Sequence, residues 1–409
     1  MGSENQGFGI TSGGFWGKPL QRLALPYVPT RGCVAVQAVA VQPYHSTGRR
    51  NYPPSARHSA YIAYEEKTMR PEISFWRFRS FPACCGPMNR SGKIHALLST
   101  ARVANIPSVV SNVWLGVVMG TILNIGCYSL QIPTTPWWIT TRLSLAAICL
   151  YVAGNFLNDW MDRDWDARNR PERALPRGLF TQRSYRNCAV ILALAGIAIA
   201  TSVKWPAGVV AASIAVCIVI YTVWHKRGAW AVIPMGLCRA FLPLLGAAGT
   251  LRMSIWFNQL PETAILAGIG ACGLFCYIVG LSLSARRESK MNESLDGGNF
   301  AMIPLLLSPL FLILPYFLWG RISWESLVGL IPYIAWLSCC RTIYRRPIPV
   351  YVSSLLAGIP LVDWIFLLPQ SLAMFTAENW MDPLSIACFT IPPLAFISAL
   401  LLQRLAPAT

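Results

Sequence analysis

Charged residues are scarce in this sequence. Only 12% of its 409 residues are Asp, Glu, Lys or Arg, while 54% are hydrophobic, and the mean hydropathy is +0.46. A soluble protein of this length needs more charge to cover its surface, so the composition excludes that class. The chain is therefore expected to be an integral membrane protein.

Histidine is also rare, and the cysteines lack the spacing of a metal site. The chain has four histidines and 13 cysteines, with no Cys-x-x-Cys pair. Most of the cysteines, such as Cys188 and Cys217, fall within apolar segments, where cysteine packs as a small apolar side chain. We therefore expect neither a zinc site nor a disulfide.

Long apolar runs recur along the chain, and a run of about 20 residues can cross a bilayer as a helix. Because these runs are continuous rather than alternating, they exclude a transmembrane β-barrel. They predict an all-α polytopic integral membrane helical bundle with nine core transmembrane helices, with ten as the alternative. Gly116 and Gly120 are four residues apart, which favours close packing between helices. The predicted segments are 107–130, 137–158, 187–203, 207–225, 230–250, 262–284, 301–319, 324–342, 349–369 and 384–404.

The net charge of +17 is unevenly distributed over the loops. Alternate loops carry fifteen Lys and Arg residues, and the other set carries four. This bias follows the positive-inside rule, so the basic residues indicate topology and not a nucleic-acid partner. It predicts that the N-terminus and the basic loops are cytoplasmic, in the cell inner membrane if the protein is bacterial.

Residues 1–87 differ from the rest of the chain. Their ten Lys and Arg against four Glu give a net charge of +6, and they have no sustained apolar period. Such a segment is expected to be disordered. Three interpretations remain: a basic tail on anionic lipid, a targeting extension, or a segment upstream of the true start. We favour the last, with Met88 as the start, so that residues 88–409 form the transmembrane domain.

Acidic residues cluster where the second apolar run ends. Asn155, Asp159, Asp162 and Asp166 fall within about 60° of one another at 100° per residue, and Asp164 points the opposite way. Acids grouped at the mouth of a membrane helix repel one another unless a cation compensates them. Mg²⁺ takes oxygen ligands and is usually held by one or two carboxylates together with substrate phosphates. The spacing therefore favours a magnesium site.

An arginine-rich turn follows the acids. The turn runs from Asn169 to Gly178, and its two prolines and its glycine end the helix, which keeps Arg173 near the carboxylates. The planar guanidinium suits phosphate oxygens, so a metal-plus-arginine pocket for a diphosphate is coherent. The alternative is a solvated loop whose acids pair with its arginines.

Together these residues resemble the first signature of the UbiA-type intramembrane prenyltransferases. In that family an Asn-Asp-x-x-Asp-x-x-x-Asp run ends the second transmembrane helix and an Arg-Pro-rich turn follows. Here the matching residues are Asn158, Asp159, Asp162 and Asp166, and then Arg173, Pro176 and Gly178. The resemblance spans roughly residues 98 to 405, and the segment from Tyr221 to Lys226 and Arg227 is similar to a second family feature.

The second acidic signature of the family departs from the usual pattern. Typical members carry a second Asp-x-x-x-Asp-like cluster at the end of the sixth span, but here Glu288 is the only carboxylate in the stretch from Tyr277 to Lys290. The Arg-x-Glu sequence at Arg286 and Glu288, the segment from Met235 to Arg239 and the Arg-x-x-Asn segment from Arg102 to Asn105 resemble the EboC-like branch of the family. A single acid puts the second Mg²⁺ of the usual pair in doubt. Arg239 falls about two turns inside its span, where it reaches a diphosphate or an acceptor, or pairs with Asp363.

The resemblance implies a transferase that moves a prenyl group from a polyprenyl diphosphate to an aromatic or other lipophilic acceptor within the membrane. Asp159, Asp162 and Asp166 would bind Mg²⁺, with Asn155 or Asn158 completing the ligand shell. The expected diphosphate or acceptor contacts are Arg173, Lys226, Arg227, Arg239, Tyr277, Arg286 and Glu288. Two alternatives stay open. One is a protein of the same fold that binds or moves polyprenyl lipid without catalysis, and the other is an ordinary transporter.

Overall fold

The protein is all-helical throughout the part of the chain that the computed structural model describes. The described residues are 90–128, 137–226, 228–250, 260–286, 300–318, 324–344, 347–376 and 383–405. The predictions for residues 1–87 lie outside these ranges.

The helices follow one another with short connections. A helix is the expected element here because a backbone in lipid must satisfy its own hydrogen bonds. They are α1 (Arg90–Thr100), α2 (Ile106–Tyr128), α3 (Trp137–Met161), α4 (Arg163–Asn169), α5 (Gln182–Val203), α6 (Trp205–Trp224), α7 (Val232–Thr250), α8 (Leu260–Arg286), α9 (Met302–Leu318), α10 (Glu325–Val328), α11 (Leu330–Thr342), α12 (Ile348–Ala357), α13 (Ile359–Thr376) and α14 (Pro383–Leu405).

Eight helical stretches among the described residues are long and apolar enough to cross a membrane. This confirms the predicted class, a polytopic membrane helical bundle. The number nine stays a prediction, because α9 has 17 residues and is shorter than the roughly 20 that span a bilayer. The predicted segment 324–342 is divided into α10 and α11 at Gly329, where the chain packs against the backbone of Ile365.

Helices α2 and α7 pack backbone to backbone through glycine. A Cβ atom placed on Gly116 would overlap the Pro243 carbonyl, and one placed on Gly246 would overlap the Val113 carbonyl. The close packing predicted at Gly116 is therefore confirmed. This contact holds the middle of α7 against α2.

The end of α3 is held by aromatic packing on α5. The ring centroids of Phe156 and Tyr185 are 4.8 Å apart, and the Tyr185 hydroxyl lies 2.9 Å from Thr100 Oγ1 near the end of α1. Helix α5 begins with the Thr181 side chain accepting a hydrogen bond from the Ser184 backbone N–H. These contacts fix the place where the acidic residues emerge.

Candidate functional site

The acidic residues keep the register of one helix although α3 formally ends at Met161. The backbone N–H of Asp162 donates to the Asn158 carbonyl at 2.9 Å, and that of Asp166 donates to the Asp162 carbonyl at 2.8 Å. Helical hydrogen bonding thus continues through the junction between α3 and α4. The acids therefore project from one nearly continuous helix, as their spacing predicted.

Arg173 bridges two of the three acids. Its Nη1 atom lies 3.1 Å from Asp159 Oδ1 and 2.8 Å from Asp166 Oδ2. The Asp166 side chain is only 2% exposed. A carboxylate at that depth is destabilising unless a cation faces it, so Arg173 is the residue that makes its burial possible.

Asp162 faces a different partner, the end of α6. Lys226 Nζ lies 2.5 Å from Asp162 Oδ1, and His225 Nε2 lies 3.3 Å from Asp162 Oδ2. Burial alone would raise the pKa of the Asp162 carboxyl, but the hydrogen bonds from His225 and Lys226 outweigh it and the pKa lies below its usual range. Asp162 is therefore a carboxylate at neutral pH, and it ties α6 to the acidic cluster.

The turn that carries Arg173 ends at a glycine in the left-handed region. Gly178 has φ of +67°, and its N–H donates to the Leu175 carbonyl at 2.9 Å. A side chain would be strained at this backbone angle, which is the reason for glycine here. The turn returns Arg173 to the acids, while Arg177 stays exposed.

Two oxygens of the acidic cluster are buried without a hydrogen-bond partner among the described residues. They are Asn158 Oδ1 and Asp166 Oδ1. Such orphaned oxygens are costly in a protein interior, and a hard cation would satisfy them. The donor set of carboxylate and amide oxygens therefore fits Mg²⁺. Asn155 has its own Nδ2 engaged with the Ala101 carbonyl at 3.0 Å, so Oδ1 is the atom it could offer a metal.

Within the part of the chain that the structure describes, no three His, Cys, Asp or Glu side chains converge as metal ligands do. The basic partners explain this arrangement, because Arg173 draws Asp159 and Asp166 toward itself and Lys226 draws Asp162 away. The internal cations thus supply the compensation that the acidic spacing requires.

Three further residues belong to this region, and sequence reasoning assigned no site role to Arg102, Tyr221 or His225. The charges of Arg102 and Arg173 both act on Asp159, and those of Arg102 and Arg286 act on Tyr221. Arg102 has φ of 47° and ψ of 52°, a left-handed conformation that costs roughly 1 kcal/mol for a residue with a side chain. Non-glycine residues in such conformations cluster at functional sites, and the Arg-x-x-Asn segment is the signal that could have marked Arg102.

Arg286 lies at the mouth of the same site. Its Nη2 donates to the His225 carbonyl at 3.0 Å, which brings the end of α8 to the end of α6. Arg227 and Glu288, both predicted to contact the substrate, lie outside the described residues.

Tyr277 is placed in a packing position. Its hydroxyl donates to the Leu355 carbonyl at 2.7 Å, its ring lies edge-on to Tyr333, and the residue is 1% exposed. The hydrogen bond joins α8 to α12. We therefore leave Tyr277 out of the proposed substrate site.

Arg239 and Asp363 are joined through Asn112 and not by a direct ion pair. Arg239 Nη1 donates to Asn112 Oδ1 at 3.2 Å, and Asn112 Nδ2 donates to both Asp363 oxygens at 3.0 and 2.8 Å. Ser111 Oγ donates to Asp363 Oδ2 at 2.5 Å. The two residues are thus connected by hydrogen bonds across α7, α2 and α13, and the suggested direct ion pair is not formed.

Comparison with known proteins bears on this arrangement. Residues 125–352 match the UbiA prenyltransferase family. A digeranylgeranylglyceryl phosphate synthase from Natronomonas pharaonis is 27% identical over 217 residues, which are 47% of this chain and 71% of that protein. A protoheme IX farnesyltransferase from Caulobacter sp. (strain K31) is 31% identical over 128 residues, 29% of this chain and 37% of that protein. A solved structure of a digeranylgeranylglyceryl phosphate synthase shares 14% identity at a TM-score of 0.43, covering 76% of this chain and 98% of that one.

The family match covers more than half of the chain and includes the acidic cluster, Arg173 and Lys226. The EboC-like branch stays a prediction. On the strength of the family match, with eight apolar spans among the described helices, the chain is an integral membrane enzyme that belongs to the UbiA prenyltransferase family.

Proposed function

We propose that this protein catalyses Mg²⁺-dependent transfer of a prenyl group from a polyprenyl diphosphate to an aromatic or other lipophilic acceptor. The relatives carry the names of a digeranylgeranylglyceryl phosphate synthase and a protoheme IX farnesyltransferase. The reaction site is the acidic cluster of Asp159, Asp162 and Asp166 at the end of α3. The positive-inside distribution of the loops supports a cytoplasmic location for this end and for the N-terminus.

The observation that carries the proposal is the pair of buried, unpartnered oxygens in this cluster, Asn158 Oδ1 and Asp166 Oδ1. A site built only to pair acids with arginines would have no reason to leave a carboxylate oxygen buried and unsatisfied. A site built to receive a cation would. Asn158, Asp159, Asp162 and Asp166 would hold Mg²⁺ there, with Asn155 beside them.

When bound, Mg²⁺ supplies a Lewis acid that neutralises charge on the diphosphate oxygens. The chain itself supplies the other positive groups. Arg173 and Lys226 contact the acids in this structure. The charge of Arg102, which lies between α1 and α2, stabilises the Asp159 carboxylate. Aimed at the diphosphate, these groups stabilise the negative charge that accumulates as the allylic C–O bond breaks.

The surrounding side chains keep water from the reacting carbon. Phe156 and Tyr185 form a buried apolar cluster beside the acids, with Leu157, Trp160 and Phe180 packed against it. A carbocation is consumed by any water that reaches it, so a dry wall here directs it to the acceptor. Diphosphate thus departs with the electron pair of the allylic C–O bond. The nucleophilic atom of the acceptor then forms the new bond to carbon, and its proton passes to the released diphosphate.

Diphosphate release tests the proposal. Full-length protein in detergent is incubated with geranylgeranyl diphosphate or farnesyl diphosphate, a panel of aromatic and glycerophosphate acceptors, and either Mg²⁺ or EDTA. We expect release that requires Mg²⁺ and an acceptor and that falls at least about a thousandfold in Asp159→Asn, since a variant that loses the metal loses several kcal/mol of transition-state stabilisation.

Asp164→Asn is the matched control. Asp164 lies two residues from Asp162 but is 74% exposed, so its loss should leave release unchanged. Equal rates in Asp159→Asn and Asp164→Asn would contradict the mechanism. Mg²⁺-dependent binding of the prenyl diphosphate without release by any acceptor would instead support a protein that binds polyprenyl lipid.

A further inference from the structure

Arg239 is a buried cation that the acidic cluster does not use. It lies seven residues into α7, about 10 Å along the helix from Val232 at 1.5 Å per residue. Its side chain is nevertheless partly exposed. A charge at this depth costs several kcal/mol unless it is compensated, which makes such a residue functional by default.

The polar groups around Arg239 hold it in one orientation. Its Nη1 donates to Ser108 Oγ at 3.0 Å and to Asn112 Oδ1 at 3.2 Å. The Asn112 amide cannot turn over, because its Nδ2 donates to both oxygens of Asp363. Ser108, Asn112 and Asp363 are each 0% exposed. The guanidinium is thus fixed from one side by a buried relay that ends in a carboxylate.

The other edge of the guanidinium is open. Arginine has five N–H groups, and those of Nη1 account for every hydrogen bond of Arg239 within the described part of the chain. The Nε and Nη2 edge, which can bind a carboxylate or phosphate through two parallel hydrogen bonds, contacts no acceptor there. The guanidinium carbon lies 5.4 Å from the centroid of the Tyr151 ring. Tyr151 thus covers one face of the guanidinium and makes no hydrogen bond to the Nε and Nη2 edge.

This open edge is separate from the acidic cluster. The charged and polar groups that act on Arg239 are Tyr151, Asp363 and Cys238, whereas those that act on Asp159 are Arg102, Arg173, Asp162 and Asp166. Tyr151 precedes Asp159 by eight residues, which is about 12 Å along α3. An anion on Arg239 therefore lies deeper in the bundle than a diphosphate held by the acids.

We propose that the Nε and Nη2 edge of Arg239 binds the anionic group of the acceptor, a carboxylate or a phosphate, and that Asn112 and Asp363 position the guanidinium for it. This inference rests on the proposed prenyl transfer and adds the chemical class of its second substrate. The geometry suits an acceptor that carries its nucleophile at one end, near the diphosphate, and its acid at the other.

Probe binding to the full-length protein in detergent tests the inference without requiring turnover. Four probes form two matched pairs: 4-hydroxybenzoate with 4-hydroxybenzamide, and geranylgeranylglyceryl phosphate with geranylgeranylglycerol. We expect at least one anionic probe to bind the wild type about tenfold or more tightly than its neutral partner, a preference typical of a charge-assisted hydrogen bond. The preferred pair distinguishes a carboxylate from a phosphate.

Arg239→Gln should abolish that preference while leaving the affinities for the neutral probes and for inorganic diphosphate unchanged. Arg239→Lys, which keeps the charge but loses the two-pronged edge, should retain only part of it. Arg142→Gln is the control, because Arg142 is exposed at the far end of α3 beside Trp138, and it should bind as the wild type does. If Arg239→Gln does not fold, Arg239→Gln with Asp363→Asn removes the cation and its carboxylate together.

Three results would overturn the inference: a wild type that binds acid and neutral probes equally, an unchanged preference in Arg239→Gln, or a tenfold loss of inorganic diphosphate affinity in that variant. The last would assign Arg239 to the diphosphate. Failure of the proposed function looks different. In that case acid probes would still bind through Arg239, but the wild type would release no diphosphate from geranylgeranyl diphosphate.

Discussion

Arg173 Nη1 lies 2.8 Å from Asp166 Oδ2, and the same nitrogen lies 3.1 Å from Asp159 Oδ1. One arginine nitrogen thus compensates two carboxylates that are separated by two helical turns. Arg173 therefore reduces the repulsion between these two carboxylates, as a metal cation bound by them would also do. The stability of this end of α3 and its affinity for a divalent cation are therefore linked through one side chain.

Loss of Arg173 should destabilise the protein in the absence of a divalent cation. Arg173→Gln leaves Asp166 buried with no facing charge, and breaking such a pair costs about 3 kcal/mol. We expect a lower thermal unfolding midpoint in EDTA, and partial recovery in Mg²⁺ because the ion replaces the missing charge. Arg177→Gln, in the same turn but exposed, is the control and should unfold with the wild type. An Arg173→Gln protein as stable as that control would show that the pair contributes nothing.

Mg²⁺ should stabilise the wild type through the acidic cluster. A ligand that binds only the folded state at a hundred times its Kd adds about 2.7 kcal/mol of stability. The unfolding midpoint should rise with Mg²⁺ in the wild type and in Asp164→Asn, whose side chain is 74% exposed. Asp166→Asn and Asn158→Ala should lose most of that rise, because Asn158→Ala removes one of the two unpartnered buried oxygens and Asp166→Asn removes the negative charge beside the other. A full Mg²⁺ response in both variants would place the ion elsewhere.

The spans and the acidic register could be predicted because each depends on local sequence. Apolar runs in lipid must form helices to satisfy the backbone, and residues seven apart on a helix fall on one side. Asp159 and Asp166 therefore meet on Arg173 as their spacing indicates. The turn from Pro171 to Gly178 could be predicted in the same way, because proline and glycine end helices and form turns.

The remaining features depend on contacts between distant segments, which spacing does not report. The pairing of His225 with Asp162 requires the end of α6 to meet the end of α3. The amide of Asn112 links Arg239 to Asp363 because α7 and α13 both pack against α2 at these residues. The left-handed backbone of Arg102 has no sequence signal of the kind that glycine provides.

Tyr277 offers a test of structural against catalytic importance. Tyr277→Phe removes the hydrogen bond to the Leu355 carbonyl and should lower the free energy of unfolding by about 1 kcal/mol, the usual net value of such a bond. The KM for the prenyl diphosphate should not change, because the ring is buried and contacts Tyr333. A raised KM with unchanged stability would return Tyr277 to the substrate site.

The packing of α2 on α7 should be intolerant of any side chain at Gly116. In Gly116→Ala the new methyl group overlaps the Pro243 carbonyl, so the two helices must separate or bend, and overpacking of this kind costs about 1–3 kcal/mol. Gly268→Ala is the matched control, because a Cβ there meets no atom within 4 Å and alanine favours the helix by up to about 1 kcal/mol. The midpoint of thermal unfolding should therefore shift in opposite directions in the two variants. Equal stability of the two variants would show that α7 can move away from α2 at no cost.

The same substitution should also affect ligand binding. Since Arg239 is in α7 and Asn112 in α2, Gly116→Ala should weaken acid-probe binding more than neutral-probe binding.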